Sequence, residues 1–229
     1  MYQPFYLYFA INEKISSNNI IIKISIREDM STPIKDIQNI WRDSLKNLKL
    51  IEDNLLRQIN RKTNKGNVDN ISRTLYYLKY YNNHKEVWWA LLASTVSRNA
   101  GWNMTDLESN WYKRMLKKQY RRTLFMTYER ANWLIFSDAF PQLLIYEASK
   151  KYNYPLFHLL DYFHVSKFMR KEWERFFECG EIERLCTALI INEQNLIQKP
   201  VIDHPFYSSH VFKTKLFSIQ EHLHFSFVL

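Results

Sequence analysis

Between Glu86 and Arg98 the chain offers water almost no polar face: Val87, Trp88, Trp89, Ala90, Leu91, Leu92, Ala93 and Val96 crowd into little more than three helical turns. A helix that is apolar nearly all round is expected to be buried on every side. The segment from about 86 to 99 is therefore expected to be the central helix, with the other elements packed round it. It runs into Ser97, Arg98, Asn99, Trp102, Asn103, Thr105 and Asp106, a stretch rich in functional groups where a site is first to be sought. No residue type and spacing there identifies a reaction.

The flanking segments read as helices too. From Pro33 to about Lys62 apolar residues recur at steps of mostly three and four, which predicts a long amphipathic helix ending in the run Lys62-Thr63-Asn64-Lys65-Gly66. A second helix opens at Asp69 or Asn70, with Ile71, Leu75, Leu78 and Tyr81 on one face. Thr105-Asp106-Leu107-Glu108 has the spacing of a capping box and predicts a helix start at Thr105. Ser137-Asp138 with Pro141 predicts another, because proline is tolerated in a first turn. Helices over 155–163, over 167–178 after a Ser166 cap, and over 181–198 complete about eight or nine. All three glycines, Gly66, Gly101 and Gly180, fall where a helical pattern stops. The expected fold is one all-α domain over 30–229.

Residues 1–29 stand apart as an appendage, with a strand-like run at Ile20, Ile21, Ile22, Ile24 and Ile26. Met30 precedes the helix-start signal Ser31-Thr32-Pro33, so translation from Met1 and from Met30 are both open. The last six residues, 224–229, also alternate like a strand.

Two cysteines, Cys179 and Cys186, make no disulfide framework, and two free thiols are expected. Without a basic leader or an 18-residue apolar window the chain reads as cytoplasmic. A net charge of +9 permits an acidic partner, such as nucleic acid or an anionic membrane surface. Three dispersed glycines rule out a glycine-rich phosphate loop, and no Gly-x-Ser-x-Gly elbow occurs.

At Asn70-Ile-Ser-Arg-Thr74, at Val96 to Leu107 and at Ile190-Ile-Asn-Glu-Gln194 the chain resembles the YppC-like family of uncharacterised Bacillus-type proteins, a domain-of-unknown-function family. The resemblance runs from about Leu55 to the C-terminus and implies a bacterial, cytoplasmic protein without an assigned activity. Relatives look longer at the C-terminal end, which would make this chain a shortened version.

Three constellations carry chemistry. Arg73, Arg98, Asn99, Asn103 and Asp106, with Asn192, Glu193 and Gln194 as distant partners, could form an anion or carboxylate pocket, or a network that fixes helix ends. Asp161-x-x-His164 and Glu221-x-x-His224, with Glu147 and Glu193, match the ligand pattern of a di-metal site in a helical bundle, against satisfied or surface histidines. Lys113, Arg114, Lys117, Lys118, Arg121 and Arg122 would form one basic helix face, for nucleic acid or simply for water. The leading expectation is a non-enzymatic interaction protein with an unknown protein partner and no cofactor. A metal- or anion-dependent enzyme, and nucleic-acid association through 113–122, are the alternatives.

Overall fold

The computed structural model describes residues 13–14, 19–20 and 34–214. The fold is all-α. The chain divides into two units, Met1–Asp53 and Asn54–Leu229. In the first, Glu13–Lys14 (β1) pairs antiparallel with Asn19–Ile20 (β2). The rest of the expected strand over 20–26, the boundary at 29/30, Met30 and the strand-like end lie outside the described residues.

Helix α1, Ile34–Gly66, crosses the division, and its second half buries Leu56 and Ile59 in the second unit's core. Its end is set by packing. A Cβ on Gly66 would stand 2.7 Å from the Phe136 ring and 2.8 Å from the Tyr76 ring, so only glycine allows this approach. Asp69 then caps α2, Asn70–Asn83, by accepting from the Ser72 amide at 2.7 Å. Helix α3, Trp88–Asp106, returns antiparallel, its Gly101 meeting Asn70.

The expectation of a central helix over 86–99 is met on one face only. Trp89, Ala90, Ala93, Ser94 and Ser97 are buried, whereas Trp88, Leu91, Leu92, Val96 and Trp102 are exposed. The buried centre belongs to α5, Lys118–Tyr152, in which almost every residue from Phe136 to Ser149 is inside. Phe136 stacks on Phe140 at 4.6 Å and meets Tyr77 of α2 at 4.9 Å, so aromatic edges and faces tie α2 to α5.

Three helix boundaries differ from expectation. Gly101 lies inside α3, which runs through Thr105, and Thr105 Oγ1 donates back to the Gly101 carbonyl at 2.9 Å, so no capping box forms there. Ser109 instead caps the short α4, Asn110–Met115. Pro141 starts no helix. It sits in the interior of α5, where the Ser137 carbonyl one turn earlier loses the amide donor that a residue other than proline would supply.

After α5 the chain turns through a left-handed Asn153 into a 3-10 segment, Phe157–Phe163, where an α-helix was expected. Helix α6, Lys167–Cys179, opens on the expected Ser166 cap, which accepts from the Met169 amide at 3.2 Å. It closes on Gly180 at φ 68°, the left-handed position that favours glycine. Helix α7, Ile182–Ile197, and a wound segment through Phe212, including α8, Pro205–Tyr207, end the description. Trp173 of α6 is fully buried against Tyr146 and Phe157. Cys179 and Cys186 are free thiols.

Candidate functional site

The residues expected to form one polar cluster lie in separate places. Arg73 is fully buried and acts as a clamp: Nε donates to Asn67 Oδ1 at 2.6 Å, Nη1 to Asn70 Oδ1 at 2.9 Å, and Nη2 pairs with Glu129 of α5. Asn132 donates to the same Asn70 oxygen at 3.0 Å, and Asn67 reaches the Trp133 carbonyl and Ser137 Oγ. Each guanidinium edge therefore has an acceptor, which is what a buried arginine requires. The network joins the α1–α2 connection to α5. Asn67, Glu129 and Asn132 were not among the expected members.

Arg98 has left this group. It is exposed on α3, with its guanidinium 5.1 Å from the centre of the Trp102 ring. Asn103 and Asp106 are exposed on the same helix, Asn99 is half-buried, and Gln194 is exposed on α7. These residues form no common pocket with Arg73.

Asn192 and Glu193 belong to a second network, with α5 and α6. Asp138 Oδ2 accepts from Gln142 Nε2 at 2.6 Å and from Asn192 Nδ2 at 2.7 Å, while Trp173 Nε1 donates to Gln142 Oε1 at 2.8 Å. Burial raises the Asp138 carboxyl to about 6, with the two amide donors pulling it the other way. Burial, with a smaller contribution from the nearby Asp138 charge and against the pull of the Trp89 indole, raises Glu193 to about 7. The Trp89 indole N–H faces Glu193 without closing a hydrogen bond of normal geometry, and the buried Tyr77 hydroxyl has no partner among the described residues. A carboxyl pair with raised pKa values holds a proton near neutral pH, a property shared by catalytic acids and structural cores alike. Asp138, Gln142, Trp89 and Trp173 were not anticipated; the Asp138/Gln142 spacing of four was the one sequence signal.

A third group closes the α2–α3 turn. Glu86 Oε1 accepts from Lys150 Nζ at 2.7 Å and from the Tyr146 hydroxyl at 3.1 Å. Burial opposes ionisation of Glu86, but these two partners outweigh it and hold its carboxyl below the usual range. His84 stacks on Tyr80 at 4.6 Å, and burial lowers its pKa.

The acid-x-x-His pattern does not assemble among the described residues. Asp161 is paired with Arg170 at 3.0 Å, His164 ends the 3-10 segment with φ 58°, and Glu221 and His224 lie outside the described residues. No group of three or more histidine, cysteine or acidic side chains placed to hold a metal occurs among the described residues. The single basic helix over 113–122 is not formed either. Leu116 is extended at ψ 134° and separates α4 from α5, and Arg121 is buried, donating to the Leu116 carbonyl at 3.2 Å. The remaining five cations are exposed, with Lys113 held by Glu108 at 3.3 Å.

The other conspicuous feature is apolar. Ile71, Leu75 and Leu78, at i, i+4 and i+7 on α2, are exposed, Ile71 by 71% and Leu75 by 59%, while Asn70 and Arg73 point inward. The amphipathic face read from the sequence is turned outward, because Tyr77 and Tyr80 on the opposite side meet the core. Leu91, Leu92 and Val96 of α3, the helix packed against α2, are exposed as well. No helix among the described residues is long and apolar enough to cross a membrane.

Comparison with known proteins adds kinship without an activity. The "Uncharacterized protein YppC" of Bacillus subtilis (strain 168) is 52% identical over 175 residues, which is 76% of this chain and 55% of that protein, so the chain spans little more than half of the relative's length. No solved structure matches. The family model described as "Protein of unknown function (DUF2515)" matches residues 65–229, and the chain belongs to that family.

Proposed function

We propose that the chain is a helical interaction protein that associates with a second copy of itself through the outward face of α2 and α3. The observation that carries this reading is the exposed stripe Ile71, Leu75 and Leu78, flanked by Leu91, Leu92 and Val96. Contiguous exposed apolar surface of this kind marks association sites in soluble proteins. A two-fold axis midway along the stripe, between Thr74 and Leu75, sets Ile71 against Leu78, the self-complementarity an isologous interface needs. The stripe's own side chains are uncharged, and the exposed Lys79 beside them can keep its ammonium in water at the rim of the contact.

Light scattering of the purified chain tests this directly. A dimer is expected for the natural sequence and a folded monomer for Ile71→Lys with Leu75→Lys, since both side chains are exposed in the single chain. A natural-sequence chain that stays monomeric at micromolar concentration would sink the reading.

A further inference from the structure

We infer that α4 and the first turns of α5 form a docking surface for an anionic lipid bilayer. Helix α4 has six residues, and none of its side chains is buried. So short a helix is marginal without packing. Here Trp111 and Met115, one turn apart on the same face, are each 73% exposed. Phe125 and Met126 are exposed too, on α5 about two turns past the extended Leu116 that joins the two helices.

The charges on this surface have a distinct order. Lys113 is held by Glu108 and Arg121 is turned inward, but Arg114, Lys117, Lys118 and Arg122 have no carboxylate partner among the described residues. Cations therefore stand between two apolar projections. Tryptophan and phenylalanine beside lysine and arginine suit the boundary between lipid headgroups and acyl chains, where the rings leave water while the cations meet phosphate. A single-stranded nucleic acid would use the rings and the cations but leave both thioethers in water, because its bases stack on aromatic faces. Met115 and Met126 favour lipid. None of these residues belongs to the α2–α3 face, so separate variants test the two proposals.

The test is co-sedimentation of the full chain with vesicles of phosphatidylcholine alone and of phosphatidylcholine mixed with phosphatidylglycerol. Binding is expected to the mixed vesicles only, weakening as salt is raised. Trp111→Ser with Met115→Ser should reduce it by roughly tenfold or more, with an unchanged circular dichroism spectrum and melting temperature. Lys117→Glu with Lys118→Glu should abolish the preference for anionic vesicles, while Ile71→Lys should bind as the natural sequence does. Equal binding to both vesicles, no binding to either, or full binding by the Trp111/Met115 variant would overturn the proposal. Retention on single-stranded DNA without vesicle binding would also overturn it, and would return these rings to base stacking.

Discussion

Helix α3 and the second half of α5 invert their sequences' apparent claims on the interior. Residues 87–96 of α3 are almost all apolar, yet Trp88, Leu91, Leu92 and Val96 face water. From Phe136 to Ser149, α5 includes Asp138, Gln142 and an interior proline, yet it is enclosed. The difference lies in neighbours. In the second unit α5 is packed against α2, α3, α7 and the 3-10 segment, whereas α3 packs on α2, α5 and α7 along one side. Apolar content states what a helix can bury; the number of elements arranged around it states what it does bury.

The strongest way to break this comparison is truncation on the two helices. Phe136→Ala and Leu143→Ala, both at fully enclosed sites, should each cost about 3–5 kcal/mol in urea unfolding. On α3, Leu92→Ala should stay within about 0.5 kcal/mol. Equal losses would mean that α3 is as deeply buried as α5. Arg73→Met tests the clamp between α2 and α5. It leaves Glu129 and Asn67 without their donor and should lose about 3 kcal/mol.

The α5–α7 carboxyl network should make stability depend on pH. Asp138 and Glu193 have folded pKa values raised by burial to about 6 and about 7, so the folded chain holds protons that the unfolded chain releases. Their contribution is fully present below about pH 4 and is lost as pH rises through 6 to 7. His84, whose pKa is lowered by burial, acts in the opposite sense, losing its contribution as pH falls. The comparison is therefore the natural sequence against Asp138→Asn with Glu193→Gln. The double variant should remove a decline on the order of 5 kcal/mol between pH 4 and 8, measured by urea midpoints; an unchanged pH slope would show that the pair titrates normally.

The two glycines give the smallest and cleanest contrast. Gly66→Ala forces a Cβ into the Phe136 and Tyr76 rings and should cost about 1–2 kcal/mol. At Gly101 the nearest atom to a Cβ would be Asn70 Cβ at 3.4 Å, an ordinary contact inside a helix. Gly101→Ala should therefore stabilise α3, by about 0.5 kcal/mol, read as a small rise in melting temperature.

Much of the secondary structure was legible because its signals are local. Asp69 and Ser166 cap helices through their own next turns, and Gly180 ends α6 in the left-handed conformation, as the residue types alone indicate. Pro141 misled for the same reason: the helix signal before it and the one after it belong to a single rod. The candidate site was less legible. Arg73 and Asn192 were expected in one cluster, whereas the structure gives them separate partners, Glu129 and Asp138, 56 and 54 positions away respectively. Nothing in local spacing announces such pairs.

The amino-acid sequence by itself determined that the chain would be helical, where most helices begin and end, and that two thiols would stay unpaired, because periodicity and capping act within a turn or two. Only the tertiary structure decided which helix is central, which side of α2 faces outward and which charges meet. Those outcomes depend on contacts between segments far apart in the chain, where burying Tyr77, Tyr80 and Phe136 together left Ile71, Leu75 and Leu78 outside.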